Sequence, residues 1–164
     1  MTRRISTYAM NVALAFVFSY IEAIIPFNIG IPGVKPGFAN IVILLTICMS
    51  DHIIDAYAIA IIRVILAGMT FGNMSTMIYA MAGTLFATTL MLTTKKTGLL
   101  STTGISIIGG IAHNMGQLIT AIIMLSTVSL IYYLPILIIA GMIAGIVTGI
   151  IAERCIKHLG KFKF

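Results

Sequence analysis

Arg63 carries a permanent positive charge inside an apolar run that extends from Ile53 to Met69. Placing a guanidinium at the depth of a lipid bilayer costs about 2.5–3.5 kcal/mol on insertion scales, so such a residue normally faces an anion, a partner or a water-filled cavity. A guanidinium can also make a planar, two-pronged contact with an anion. Arg63 is therefore the first candidate for a ligand-binding residue.

A second helix is predicted to carry polar side chains to the same depth. Counting about 1.5 Å per residue from the predicted cytoplasmic end of each helix places both Arg63 and His113 roughly 15 Å deep. Asn114 adjoins His113, and Gln117 lies one helical turn further along the same face as His113. Two separate helices thus bring their most polar groups to one level.

Four further polar residues fall towards the predicted extracellular side: Glu22, Lys35, Asn40 and Asn73. Lys35 and Arg63, with neutral donors and acceptors around them, predict a pocket for an anionic or strongly polar small molecule. The alternative is that Arg63 pairs with Glu22 and that the amides only bond one helix to another. A resting pair that a ligand opens would satisfy both interpretations.

Signatures of catalysis are absent from the sequence. It contains no Walker A loop, no GxSxG, no HExxH and no aspartate-rich DDxxD pair. Cys48 and Cys155 have no CxxC or Cys/His spacing that would indicate a metal or redox site. We therefore expect no catalytic residue, no metal and no cofactor, and we predict that the protein is not an enzyme.

The composition explains why a polar residue is so informative in this chain. Hydrophobic residues make up 60% and charged residues 9% of the 164 residues, and the mean hydropathy is +1.13. A packed soluble domain could not hide that much apolar side chain from water. Because apolar stretches recur along the whole chain, the sequence predicts an integral membrane protein with one transmembrane domain over residues 1–164.

The predicted fold is all-α, a bundle of six transmembrane helices. The second span is short for a crossing helix, so it is expected to begin earlier, to be tilted or to be shielded by its neighbours. A re-entrant second span would place Lys95 and Lys96 outside, which their charge disfavours. The six spans are about Ile5–Ile25, Ala39–Met49, Ile53–Met69, Ser75–Leu92, Thr103–Leu125 and Ile131–Ala152.

The distribution of basic residues predicts the orientation of the bundle. A formal charge of +6 can indicate a nucleic-acid partner, but most of the basic side chains cluster at one predicted side of the membrane. That pattern obeys the positive-inside rule with both termini in the cytoplasm, and no nucleic-acid partner is expected. The residues concerned are Arg3, Arg4, Lys95, Lys96, Arg154, Lys157, Lys161 and Lys163.

The segment from Ile25 to Gly37 contains three of the four prolines and three glycines, so it cannot be helical. Such a loop is either a floppy connector or an ordered lid over a binding pocket, and we favour the lid.

Small residues recur at four-residue spacing in four of the predicted helices, and such rows let helix backbones approach closely in lipid. Packing within the bundle is the expected role of most of them. Ala9 and Ala13 differ because they lie near the cytoplasmic end of the first helix, where a partner subunit could dock. The other rows are Gly83/Ala87, Ala112/Gly116 and Gly141/Gly145/Gly149.

Four segments, in order along the chain, resemble one known family: IPGVKPGFANIV (31–42), IIRVILAGMTFGN (61–73), AHNMGQL (112–118) and YYLPILIIAGMIAGIVTG (132–149). It is the bacterial Gx transporter family, also described as heptaprenyl diphosphate synthase component I. Pro36 departs from the family pattern, in which an apolar residue is expected after the lysine.

That family resembles the S components of energy-coupling factor transporters, multi-pass proteins of the bacterial cell membrane. The resemblance implies a six-helix bundle that captures a vitamin or related micronutrient from outside. It also implies docking through the first helix onto a transmembrane coupling subunit driven by two ATPases in trans. By this resemblance, Ala9 and Ala13 match the docking motif and Pro26–Gly37 matches the gating loop.

Three hypotheses follow, and they differ in what the membrane bundle would bind. The leading one is a solute-capture subunit of an energy-coupling factor type importer. The second is an accessory membrane subunit of isoprenoid or quinone metabolism, in which Arg63 and Lys35 hold a diphosphate or a quinone headgroup. The third is a structural subunit of a membrane redox complex, which requires no pocket.

Overall fold

The computed structural model describes residues 2–24, 37–50 and 52–159, and this part of the chain is almost entirely helical. A short 3₁₀ helix, Val128–Tyr133, precedes the last α-helix. The six α-helices are α1 (Thr2–Ile24), α2 (Phe38–Met49), α3 (Ile53–Thr70), α4 (Met74–Thr97), α5 (Thr102–Leu125) and α6 (Leu134–Leu159). The predicted all-α class and the six helices are confirmed.

Five helical segments are long and apolar enough to cross a membrane, so the protein is a multi-pass membrane protein. They are Ser6–Ile24, Ile53–Thr70, Met74–Thr97, Thr102–Leu125 and Val128–His158. The predicted sixth span begins at Ile131, which lies in the 3₁₀ helix that leads into α6 at Leu134. The pyrrolidine ring of Pro135 is accommodated in the first turn of α6, where a backbone N–H has no helical partner.

α2 is the short helix at the centre of the bundle. Its 12 residues extend about 18 Å, which is less than the roughly 30 Å of a hydrocarbon core. It packs against all five other α-helices, and the residues from Ile41 to Leu44 are all buried. Since only three residues separate Met49, its last residue, from Ile53, α2 begins at about the level of Arg63, which lies about 15 Å along α3.

Charged side chains from neighbouring helices hold both ends of α2. At its first residue, the backbone N–H of Phe38 donates a hydrogen bond to the carboxylate of Glu22 in α1. At its other end, Lys95 in α4 donates from Nζ to the carbonyl oxygens of Ile47 and Ser50. A negative group at the N-terminus and a positive group at the C-terminus both complement the helix dipole. The two contacts fix the position of α2 along the bundle.

Glycines bring α4, α5 and α6 into close contact. A Cβ atom on Gly110 would lie 2.3 Å from the carbonyl oxygen of Gly141, and one on Gly145 would lie 2.6 Å from Cα of Ile107. Between α4 and α5, a Cβ atom on Gly116 would lie 2.9 Å from Cα of Gly83. The predicted role of these rows in packing within the bundle is confirmed.

The alanine pair in α1 has a different environment. α1 packs against α2 and α3, whereas Ala9 and Ala13 are both exposed. Met10, Leu14 and Val17, which are neighbours of this pair, are exposed as well. This face of α1 is therefore available to lipid or to another protein.

Candidate functional site

A cavity of about 620 Å³ lies at one end of the bundle. Its walls come from the second halves of α1 and α3, from the middle and second half of α5, and from the first halves of α2, α4 and α6. This is the end that the charge pattern predicts to be extracellular. Because α2 begins at about mid-depth, Gly37 and Asn40 line the cavity from the start of that helix. The shortness of α2 thus leaves room among the longer helices.

The cavity brings together nearly all of the residues that the sequence predicted to bind a ligand. Lys35 lies outside the described residues, as does the predicted lid apart from its last residue, Gly37. The seven predicted residues that line the cavity are Glu22, Asn40, Arg63, Asn73, His113, Asn114 and Gln117.

Arg63 is the buried charge of this cavity, with 7% of its surface exposed. Its Nη2 atom donates a hydrogen bond to Oγ1 of Thr84 in α4, at 3.0 Å. Its Nε atom is buried and has no hydrogen-bond partner. Since buried donors in proteins are almost always paired, this unpaired Nε–H is an exception, and it belongs to a residue that lines the cavity.

Glu22 lies near enough to Arg63 for the two charges to interact. Its carboxylate also accepts the hydrogen bond from Phe38. Glu22 therefore stabilises the N-terminus of α2 and also offsets the charge of Arg63. From the sequence, Glu22 was predicted as a pocket residue and, alternatively, as the partner of Arg63. The contact with Phe38 was missed because the partner is 16 positions away, whereas capping signals in a sequence are local.

His113 and Gln117 form a polar pair on one face of α5. The Nε2 atoms of the two side chains are 3.1 Å apart, as their spacing of one helical turn predicts. Gly83 in α4 packs directly against them, because a Cβ atom there would lie 2.8 Å from Cγ of Gln117. The contact with Gly83 positions this pair beside the cavity.

Two of the predicted amides also have structural partners, and one of them bonds helix to helix, as the alternative interpretation expected. Asn114 donates from Nδ2 to the carbonyl oxygen of Leu137, at 2.8 Å, and thereby joins α5 to α6. Asn73 caps α4, since its Oδ1 atom accepts from the backbone N–H of Thr76 at 2.8 Å. Both residues still line the cavity, but part of their hydrogen-bonding capacity is already used.

Thr84 and the aromatic part of the wall were not predicted from the sequence. A threonine in an apolar helix carries no distinctive signal, because its hydroxyl usually bonds to the backbone of its own helix. Phe71 and Tyr79 line the cavity, and Phe71 also packs against Phe16 and Tyr20 of α1, with ring centroids 5.5 and 5.8 Å apart. These rings combine an apolar surface with the polar groups deeper in the cavity.

Comparison with known proteins identifies one family. The family model described as heptaprenyl diphosphate synthase component I matches residues 12–155 of the chain. This range includes every described residue that the sequence analysis placed in the pocket. No curated protein and no solved structure matches the chain.

Proposed function

The chain belongs to the heptaprenyl diphosphate synthase component I family, and from this premise we propose that it is the substrate-capture component of an energy-coupling factor type importer. In this role it binds a polar or anionic, vitamin-like small molecule from the extracellular side of a bacterial cell membrane. The observation that carries the proposal is the cavity of about 620 Å³ lined by all six helices and by the buried Arg63. Its volume lies within the usual range of small-molecule sites.

The exposed face of α1 supports the part of the proposal that concerns partners. Ala9 and Ala13 lie one helical turn apart and are both exposed. Small residues at this spacing let a second helix approach closely within lipid. We assign this face to a transmembrane coupling subunit, which in turn joins two ATPases. The protein itself contributes capture and no catalysis, since its sequence lacks ATPase motifs.

Reconstitution tests the proposed function directly. The chain is expressed with a coupling subunit and ATPases from a bacterium that contains this family, and the complex is isolated through a tag on the coupling subunit. We expect the chain to co-purify and the proteoliposomes to accumulate, only with ATP, one solute from a mixture of bacterial growth-medium components analysed by mass spectrometry. Absence of the chain from the complex, or no ATP-dependent accumulation of any solute, contradicts the proposal.

A second candidate function is favoured by the description of the matching family. As a component of a prenyl diphosphate synthase, the chain would be an accessory membrane subunit that holds a prenyl diphosphate or a quinone headgroup near Arg63. This candidate predicts that lipid extracts of the purified protein contain a stoichiometric prenyl lipid. It also predicts that the lipid is lost when Arg63 is replaced by Met. A water-soluble ligand in place of the lipid favours the importer.

A further inference from the structure

We infer that the captured solute is an amphiphilic carboxylate with a single negative charge, bound head-first by Arg63, with Thr84 as the positioning residue for the guanidinium. This inference rests on the proposed function, because it assigns a chemical class to the solute of the same site. It is carried by the unpaired Nε–H of Arg63, by the charges around it and by the shape of the cavity.

The hydrogen bonds of Arg63 leave its Nε–H, on one edge of the guanidinium, for an anion to accept. Nη2 donates to Thr84, and Nε, although buried, donates to no atom. In a guanidinium, the Nε–H is parallel to one of the two N–H bonds of Nη2, along one edge of the planar group. Two parallel donors at this spacing match the two oxygens of a carboxylate. A neutral carbonyl would satisfy only one of them.

Thr84 fixes the orientation of that edge. Its side chain is 1% exposed, so its hydroxyl cannot be replaced by water without opening the contact between helices. Because Oγ1 accepts from Nη2 at 3.0 Å, rotation of the guanidinium plane would break this hydrogen bond. Thr88, one turn further along α4, provides a matched comparison, since it is 0% exposed and its Oγ1 atom is buried without a hydrogen-bond partner.

The charges lining the described part of the cavity favour one negative charge on the solute. Among the described lining residues, Arg63 is the permanently positive side chain, and Glu22 is the carboxylic acid. The field of Glu22 opposes negative charge on the solute, and it opposes two charges more strongly than one. A diphosphate would bring at least two charges into a site of low polarity, where each uncompensated charge is costly. A monocarboxylate adds only one negative charge beside Arg63 and Glu22, so it is the anion that this site opposes least.

The remaining wall of the cavity is suited to an apolar body on the solute. Val64, Ala67, Leu118 and Leu137 line the cavity with the rings of Phe71 and Tyr79. Phe71 follows Arg63 by eight positions, which corresponds to about 12 Å along the bundle axis. The solute therefore has its carboxylate at mid-depth and an aromatic or aliphatic body of about this length towards the outer end.

Binding of three probes to the purified full-length protein tests the inference. The probes are 2-naphthoate, its neutral analogue 2-naphthamide and the more highly charged 2-naphthyl phosphate, each measured by calorimetry at neutral pH. We expect 2-naphthoate to bind at least tenfold more tightly than either of the others. Equal binding of the amide, tighter binding of the phosphate or no binding of 2-naphthoate would overturn the inference.

Variants show whether the preference comes from the proposed contact. Arg63→Met should reduce the preference for naphthoate over naphthamide to about one, and Thr84→Val, which keeps the side-chain shape, should reduce it several-fold. Thr88→Val should leave it unchanged. An unchanged preference in Thr84→Val would remove Thr84 from the site, and equal losses in Thr84→Val and Thr88→Val would assign the effect to packing. Thermal unfolding of each variant identifies a loss of fold.

The result can be separated from the test of the importer function. A complex that imports a solute while the isolated chain shows no carboxylate preference would disprove only the solute class. A carboxylate preference that depends on Arg63, in a chain that never joins a coupling subunit, would disprove the importer and retain the binding site.

Discussion

Arg63 shows how one residue can combine a structural and a binding role. It is joined to α4 through Thr84, it interacts with the charge of Glu22 in α1, and its Nε–H remains unused. A purely structural ion pair would be expected to satisfy all of its buried donors. The unpaired Nε–H therefore favours a ligand-binding role for Arg63 over a purely structural pairing with Glu22.

Replacement of Arg63 should weaken ligand binding strongly. In Arg63→Ala the loss of a charge-assisted contact in a dry site is expected to cost about 2–5 kcal/mol of binding free energy. Arg63→Lys should restore only part of it, because an ammonium group lacks the planar fork. Calorimetric titration of the solute identified by the import experiment measures both effects. Wild-type affinity in Arg63→Ala would assign the site to other residues.

A double variant distinguishes binding from charge pairing. Arg63→Met combined with Glu22→Gln removes both charges, and the Gln oxygen can still accept the hydrogen bond from Phe38. Removal of both members of a buried pair is often nearly neutral for stability. We therefore expect the double variant to unfold at close to the wild-type temperature and yet not to bind. Wild-type affinity in this variant would make Arg63 part of the scaffold.

Some residues of the site can be predicted from the sequence alone, and others cannot. Arg63, His113 and Gln117 were predicted because polar groups are conspicuous in apolar helices and because helical spacing fixes which of them share a face. Thr84 and the contact between Glu22 and Phe38 were not predicted. They depend on which helices are neighbours, and the apolar pattern does not contain that information.

Among the helices, α2 differs most from what was predicted from the sequence alone. Its existence and its approximate bounds were predicted from the apolar run, and its shortness was noted. Its position at the centre, in contact with all five other α-helices, could not be predicted. A short run of apolar residues has the same sequence pattern whether protein or lipid surrounds it. Lys95, predicted only as a cytoplasmic charge, proves to hold the C-terminal end of α2.

Lys95→Met should loosen the C-terminal end of α2. The change removes the donor to Ile47 and Ser50 and the charge that complements the helix dipole, which together contribute about 1–2 kcal/mol. Lys96→Met is the matched control, because Lys96 is the adjacent lysine and is exposed. Hydrogen exchange in α2 should accelerate only in Lys95→Met. Equal acceleration in both variants would indicate a general effect of charge.

At the scale of the whole molecule, the orientation in the membrane remains a prediction from the basic residues. Lys96 lies in the last turn of α4, at the end of the bundle that is predicted to be cytoplasmic, whereas the exposed Val128 lies in the 3₁₀ helix at the opposite end. Cysteines at these two positions, in a chain whose own Cys48 and Cys155 are replaced by Ala, report the orientation. In intact cells an impermeant maleimide should label position 128 and not position 96. Labelling of position 96 and not of position 128 would show that the bundle has the opposite orientation.

The docking face of α1 gives a second prediction at this scale. Ala13→Leu should leave solute binding intact and prevent assembly with the coupling subunit, because a bulky side chain holds helices apart. Ala58→Leu makes the same change at an exposed position on α3 and should assemble normally. Co-purification and calorimetry measure the two properties separately. Assembly of Ala13→Leu at the wild-type level would place the interface elsewhere.

The central position of α2 also bears on the order in which the protein is made. A helix of 12 residues is too short to enter a bilayer as an independent span, and its first N–H groups would lie unpaired in hydrocarbon. Those groups become tolerable only where other protein surrounds them. α2 must therefore reach its place after or together with the longer helices, although it leaves the ribosome second. During synthesis, α2 depends on segments that have not yet been translated. In a cell short of insertion factors, the amount of this protein should therefore fall before the amount of bundles built only of full-length spans.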